Sequence, residues 1–483
     1  MRRYLIIAAV VLVTAVLTCW AMFHIRFVAD FPPFDDSDLL PARVEVPDAE
    51  NGAAFFLKAC EKLSLPDSPW EWWDDNRDGV ETDPFAMEWS DWVEYHDYDT
   101  EMARELIKAN EEALRLAETG VECQIVRFPT PSYQPPNARR PLFEIGQIML
   151  LRARHLLKQG EPEAAFRELL RTLDFAHRIG GSGNGVKEYR DRIVLKQDAL
   201  AQLRRSAAGF DLTKDQLLEL TARLEEYAAD EEAAVEALKS EYQMWKGIVG
   251  EIENGRCVLS AFPIEDPPCG GFMPGKTRRL FADYVRALIV GVRCNPRGER
   301  EAVSSRFPCG GLLVMLADGT VSQELSYYRH HPDTMRYAHN NKAGLKLFAL
   351  YFLDAIWLHR TDRSDGGSRS IGRGMLMREA LAEENVAVAA TRLFFALKAW
   401  KLDQSELPET LDSLVPEYLE AVPIDDFDGR PMRYLRGQKV IYSIDSDLVD
   451  GTAADWATDI IYKIDFQSGP NRAAGGRPHE MNQ

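Results

Sequence analysis

The hexapeptide Asp74-Asp75-Asn76-Arg77-Asp78-Gly79 places side-chain oxygens at alternate positions before a glycine. That is the first half of a calcium loop, in which Asp74, Asn76 and Asp78 supply hard oxygen ligands and the glycine makes the sharp turn. The twelfth position is Phe85, where a bidentate glutamate is needed, with Glu81 and Glu88 as the nearest substitutes. The competing reading is a solvated acidic loop. The five tryptophans around it, Trp70, Trp72, Trp73, Trp89 and Trp92, are read as packing or, if exposed, as an interaction surface.

A second motif, Gly270-Gly-Phe-Met-Pro-Gly275-Lys276-Thr277, satisfies the Walker A pattern. A phosphate-cradling loop must leave a buried strand and enter a helix, so that its amides and the helix N-terminus face the phosphates. The preceding Ala261 to Cys269 carries Pro263, Pro267 and Pro268, which cannot donate in a central ladder. Nucleotide is therefore not expected as a ligand. No Gly-x-Ser-x-Gly or His-Glu-x-x-His motif occurs, so the enzyme question leans to no. Such absence is weak, because catalytic triads assemble in space rather than along the chain.

These loops belong to a chain of 483 residues with 57 Lys plus Arg against 76 Asp plus Glu, so 57 − 76 gives a formal charge of −19. A body this acidic repels a phosphate backbone, which argues against nucleic acid as a partner. The uncharged run Tyr4 to Phe23 spans twenty residues. As a helix rising ~1.5 Å per residue it would cross the ~30 Å hydrocarbon layer. Arg2 and Arg3 precede it, and Asp30, Asp35, Asp36 and Asp38 follow, so the positive-inside rule predicts a cytoplasmic N-terminus. The expectation is a single-pass anchor in a bacterial inner membrane, with the body in the periplasm and other envelope proteins as partners. The remaining cysteines, Cys60, Cys123, Cys257, Cys269, Cys294 and Cys309, are six in number. Outside a reducing cytosol they could form disulfides, with fifteen pairings open.

The elements that hold these residues are read mainly as helices. Apolar periodicity predicts a helix over Thr100 to Glu118, a helical hairpin over Phe143 to Lys158 and Pro162 to Ile179, then helices over Tyr189 to Ser206 and Thr213 to Ile252. The hairpin resembles a tetratricopeptide-type unit, without a clean repeat period. The Pro-, Gly- and Cys-rich middle predicts one helix, Thr277 to Val292, and a hairpin of Leu312 to Leu316 with Val321 to Leu325 about Asp318-Gly319. Leu345 to Leu358 reads as a buried helix, and Met375 to Lys401 as a long one followed by strands Met432 to Leu435, Val440 to Ser443 and Ile460 to Ile464. The fold class is thus mainly α, with an N-terminal transmembrane helix, an irregular helical body and a small C-terminal α+β lobe. Its predicted divisions are an anchor (1–24), a helical body (25–254), an insert (255–340), long helices plus the lobe (341–466) and a disordered tail (467–483).

The lobe carries linked motifs: Leu407-Pro-Glu-Thr-Leu-Asp-Ser-Leu-Val-Pro-Glu-Tyr-Leu419, then Val422-Pro-Ile-Asp-Asp-Phe-Asp-Gly-Arg-Pro431, then Tyr442-Ser443 and Asp459-Ile460. Over roughly 90 residues this resembles the periplasmic lobe of the major pseudopilin of type II secretion, as found in a group of membrane-anchored bacterial proteins that carry it after a helical body. The resemblance implies a calcium loop between the last strands. Asp447 and Asp459 match family aspartates, and Asp450 and Asp455 lie between them. Five aspartates (445, 447, 450, 455 and 459) crowd that loop, which suits a hard cation; a metal-free acidic turn is the rival. Asp445 and Leu448 stand where the family has glycine. The pseudopilin's processing site and its Phe-Thr-Leu-Ile-Glu start are missing here, which argues against polymerisation. The function expected is a membrane-anchored extracytoplasmic scaffold or interaction protein, stabilised by calcium if the loops bind it. The alternatives are an accessory of a type II secretion-like system and, behind it, an envelope hydrolase.

Overall fold

A computed structural model describes residues 14, 16–17, 30–42, 45–65, 100–129, 141–180, 185–207, 210–255, 272–293, 358–364, 367–375, 377–445, 448–451 and 459–466. Ten α-helices lie among them: α1 (Gly52–Lys62), α2 (Thr100–Ala109), α3 (Glu111–Glu122), α4 (Pro141–Lys158), α5 (Pro162–Ile179), α6 (Val186–Ser206), α7 (Lys214–Glu225), α8 (Glu231–Glu253), α9 (Pro274–Val292) and α10 (Met377–Gln404). An antiparallel hairpin, β1 (Leu358–Ser364) with β2 (Gly367–Met375), precedes α10. After α10 come the short pair β3 (Ile424–Asp425) and β4 (Arg430–Pro431), then the antiparallel sheet β5 (Arg433–Leu435), β6 (Val440–Ser443), β7 (Ile460–Lys463) in that order. The mainly helical fold and the small C-terminal antiparallel sheet are as expected.

Local chemistry sets most boundaries. Pro162 opens α5 in the first turn, where its missing N–H costs nothing. Gly160 takes φ +78° to turn the chain between α4 and α5. Thr213 and Gln216 form a reciprocal capping box at the start of α7. Two helices expected to be continuous are broken. The first breaks at Asn110, whose buried amide donates to the carbonyls of Ser64 and Leu106 while its oxygen accepts from Ser64 N (2.7 Å). The second breaks between α7 and α8, where Asp230 caps α8 by accepting from Glu232 N at 2.9 Å. Side-chain bonds to nearby backbone compete with helix continuation in both places. Leu358, expected to end a buried helix, begins β1, and Met375, expected to open α10, ends β2.

The helices pack around two apolar cores. The larger combines α1, α3, α4, α5, α6 and α7 with most of α10 and the lobe. The smaller gathers Leu39, the first turns of α6, α8, α9 and the start of α10, with Trp245 edge-on to Phe281. Helix α10 is the spine shared by both: Met377, Ala380 and Leu381 enter the smaller core, and Ala382 to Ala399 the larger. Helices α1 and α3 cross at two glycines. A Cβ on Gly120 would lie 2.4 Å from the Phe56 ring and 2.9 Å from the Gly52 carbonyl oxygen, and one on Gly52 would lie 2.4 Å from the Gly120 carbonyl oxygen. Gly120→Ala must push the helices apart, at an expected cost of about 1–3 kcal/mol for overpacking. Chemical denaturation checks this, and an unchanged midpoint refutes the close crossing.

Among the described residues no helix is long and apolar enough to cross a membrane. The predicted anchor lies outside them except for Thr14, Val16 and Leu17, which are helical and exposed. The acidic loop 74–79, the tryptophan cluster, the hairpin 312–325 and the tail 467–483 also lie outside the described residues. Cys60 and Cys123, the only body cysteines among the described residues, are free thiols.

Candidate functional site

Three polar constellations stand out, and the most buried lies on the seam between the two cores. Arg192 and Lys196 sit one turn apart on α6, so they share a face, and both reach Glu384 on the spine helix. Arg192 Nη2 lies 2.9 Å and Lys196 Nζ 2.5 Å from the same oxygen, Glu384 Oε1. All three side chains are at most 1 % exposed. Lys196 also donates to the Tyr227 carbonyl at 2.8 Å, and the Arg192 guanidinium lies 4.7 Å from the Tyr189 ring. Gly180 makes room for it, because a Cβ there would fall 2.0 Å from Arg192 Cδ. Along both helices the core changes hands at this cluster: Ile193 belongs to the smaller core and Leu195 to the larger, as do Leu381 and Val386.

The electrostatics of the cluster follow from burial. Burial opposes ionisation of Glu384, but Arg192 and Lys196 outweigh it and hold the carboxyl below its usual range. Burial, reinforced by Arg192, pulls Lys196 down to about 7 against the pull of Glu384. His177 on α5 is pushed down to about 3 by burial and by the same two cations, so it is neutral at pH 7. Glu384 Oε2, Arg192 Nε and His177 Nδ1 have no hydrogen-bond partner among the described residues. The cluster is sealed from solvent, so it presents no atom to a substrate; what it can do is join and separate packed elements.

A second constellation holds the N-terminal segment. Helix α9 begins in the Walker-like sequence, and the acceptor at its N-terminus is a carboxylate of the chain itself: Asp30 accepts from Gly275 N at 2.9 Å and from Lys276 N at 2.8 Å. The place a phosphate would take is filled by that side chain. Lys276 is buried with its Nζ 5.8 Å from the Phe31 ring, and Thr277 donates to the Met273 carbonyl. Downstream, Asp36 accepts from Tyr242 Oη and Lys246 Nζ, both at 2.6 Å, and the Arg286 guanidinium grips Asp38 at 2.6 and 2.8 Å. Phe34 packs beneath Arg279 at 4.8 Å, and Leu39 is fully buried against the smaller core. Deeper in that core, Glu241 Oε1 accepts from Trp245 Nε1 at 2.8 Å, and its Oε2 accepts from Val186 N at 3.2 Å, capping α6 where Gly185 has no side chain to do so.

Burial pushes Glu241 up to about 7 from an ordinary 4.5. The folded state therefore holds this proton more tightly than the unfolded chain does. The stabilisation is complete below pH ~4.5 and is lost as pH rises through ~7, a decline of about 3 kcal/mol at 1.36 kcal/mol per unit. The denaturation midpoint of Glu241→Gln should gain on that of the wild type as pH rises from 5 to 8; parallel profiles refute the assignment.

The third constellation is the lobe. Asp425 on β3 is fully buried and accepts four hydrogen bonds: from Phe427 N (3.1 Å), Ser443 Oγ (2.9 Å), Ile444 N (3.2 Å) and Arg433 Nη1 (2.8 Å). Arg433 also holds Asp428 at 2.6 Å and lies 3.5 Å from Asp450. Of the residues proposed as calcium ligands, the structure describes Asp450 and Asp459. Asp450 is half-exposed and accepts from Tyr442 Oη at 3.3 Å; Asp459 is buried beside the start of β7. Asp447, Asp455, Asp74, Asn76 and Asp78 lie outside the described residues. Among the described residues no three side chains are grouped to hold a metal, and Asp450 faces an arginine. Asp445 and Leu448 both take φ +57°, a conformation that favours glycine.

Sequence reasoning missed Arg192, Lys196, Glu384, Asp425 and Arg433. The usable signal was weak: Arg192 and Lys196 fall in register with buried Tyr189, Ala199 and Leu203, and Glu384 lies among the buried alanines of α10. No protein-family model, curated protein or solved structure matches the chain.

Proposed function

We propose that the protein is a single-pass membrane-anchored extracytoplasmic scaffold, in which the acidic segment after the apolar run straps the helical body against the membrane exit point. The observation that carries this reading is the strap itself. Residues 30–39 begin seven residues after Phe23, and Asp30, Asp36 and Asp38 bind three separate sites on α8 and α9. Hydrogen bonds from Lys246 and Tyr242 outweigh burial and hold Asp36 below its ordinary range, and Arg286 does the same for Asp38. A strap of this kind passes force or position from an anchor to a body, which is scaffold work rather than catalysis.

The lobe supports the resemblance to pseudopilins in its order of elements, long helix, short hairpin and three-stranded sheet, and in the left-handed backbone at Asp445 and Leu448, the family's glycine positions. It is joined to the body along the whole spine. Asn385 Oδ1 accepts from Ala229 N at 2.7 Å, Arg392 bonds Glu225 at 2.9 Å, and Lys398 donates to the Ala207 and Phe210 carbonyls. With 19 of its 28 residues buried, α10 offers little face to a filament of like subunits, which favours the scaffold over a role as a polymerising subunit.

The test is fractionation and protease accessibility of the full chain in its own membrane. The reading expects the chain to resist alkaline extraction and its body to be cleaved in spheroplasts but not in intact cells; a body protected in spheroplasts, or a chain released by alkali, overturns it. The calcium part of the proposal has its own readout. Melting in calcium and in chelator should give a higher midpoint with calcium, and Asp447→Asn combined with Asp459→Asn should abolish the difference. An unchanged wild-type midpoint removes calcium and leaves Arg433 as the counter-charge of that loop.

A further inference from the structure

We propose that the Arg192, Lys196 and Glu384 cluster is a proton-operated latch on the seam between the two cores, closed while Lys196 is an uncharged amine and loosened when its Nζ lone pair takes a proton.

The geometry carries this by a count of charges. Lys196 Nζ has two acceptors, the Tyr227 carbonyl and Glu384 Oε1, which the two N–H groups of a neutral amine satisfy. For the third N–H of an ammonium the cluster leaves the second oxygen of the same carboxylate, Glu384 Oε2. Arg192 is always cationic, so it neutralises Glu384 by itself, and a protonated Lys196 leaves one uncompensated positive charge on groups with no solvent exposure. Such a charge is costly to hold. The position matters equally. The cluster is where α6 and the spine helix pass together from one core to the other, so separating Lys196 from Glu384 parts the α6–α10 packing in mid-helix, at the junction of the cores, rather than fraying a helix end.

The groups that face Lys196 push the equilibrium in one direction. On its own helix stand Arg192 and Tyr189; across from it are Glu384 on α10, His177 on α5, and Tyr227 and Asp230 in the turn after α7. Lys196 is held down to about 7 when the seam is closed and returns toward the ordinary lysine range, 10.5, when it opens. The open form therefore gains the proton first, and opening grows as pH falls from ~10.5 to ~7, then levels off. His177, held down to about 3 against an ordinary 6.5, and Glu384, held low by its cations, add opening on further acidification. Tyr189 and Tyr227 are both pushed upward, so they act only at alkaline pH outside this window.

The experiment is amide hydrogen exchange of the full chain in detergent at pH 6.5 and 8.5, with exchange times scaled to the intrinsic rate at each pH. The latch expects peptides covering 189–200 and 380–391 to open at least ten-fold more often at pH 6.5, with α1 and α3 unchanged, and expects Lys196→Met to lose most of that ratio. Equal protection at both pH values in the wild type overturns the proposal, as does a ratio that survives in Lys196→Met. Should that variant fail to fold, Lys196→Arg assigns the Lys196 signal in protein carrying carbon-13 at the lysine ε position, and in the wild type that signal must titrate several units below the ordinary lysine range. A Lys196 signal titrating in the ordinary range overturns it, whatever Lys276 and Lys398, also pulled down by burial, do.

Discussion

Glu384→Ala is expected to lower the stability of the chain by about 3–5 kcal/mol, the loss that follows when one partner of a buried ion pair is removed and the other is stranded. Here Arg192 is stranded as a buried cation and the Lys196 amine loses one of its two acceptors, on a seam with no solvent exposure. The desolvation cost of that cation persists while the Coulomb attraction that offset it is gone. The same reasoning makes a contrasting prediction. Arg192→Met, Lys196→Met and Glu384→Leu introduced together remove all three ionisable groups of the cluster and keep most of the volume, so the triple variant should stand within ~1–2 kcal/mol of the wild type or above it. Denaturant midpoints for the three proteins settle the matter. A loss below ~1 kcal/mol for Glu384→Ala, the level of exposed pairs such as Arg293 with Glu232, would show that water reaches the cluster and that it does not hold the cores together.

Asp425→Ala should be nearly as damaging, at about 3–5 kcal/mol, and its effect should concentrate in the lobe. One carboxylate there satisfies two backbone amides, the Ser443 hydroxyl and one arm of Arg433. Removing it leaves four donors unpaired in a buried place and unties β3 from the end of β6. Asp425→Asn keeps an acceptor for part of this set and should lose about half as much. Thermal melting gives the magnitude, and hydrogen exchange gives the place: lost protection over 424–445 with α4 and α5 unchanged is the expected pattern. Equal loss everywhere would mean that lobe and body unfold as one unit and would refute the local assignment.

Legibility in the sequence tracked the range of the forces involved. The α4–α5 hairpin, α6, α9 and the three strands of the last sheet were readable within a few residues, because period-3.6 and period-2 burial, a proline in a first turn and a glycine in a left-handed turn act within a few positions of one another. The breaks at Asn110 and at Asp230 were not. Asn110 interrupts a periodic run because it bonds to Ser64, which lies 46 residues away. The Walker-like sequence was set aside on its prolines, and nothing local showed that Asp30 caps that helix from 245 residues upstream.

The same division governs the candidate sites. By itself the sequence determined the helical class, the small C-terminal sheet, the acidic balance and the one apolar run of membrane length, since each is a sum or a period taken along the chain. It also marked acidic loops as the chemistry to watch, and there the signal came from composition: aspartates close in sequence are visible whether or not they meet anything. Only the tertiary structure decided that an arginine, Arg433, faces Asp425, Asp428 and Asp450, and that the deepest charges lie instead between α6 and α10. Arg192 and Lys196 meet Glu384 across some 190 residues. A buried charge is determined by what packs over it, and the packing partner of a residue is a property of the fold.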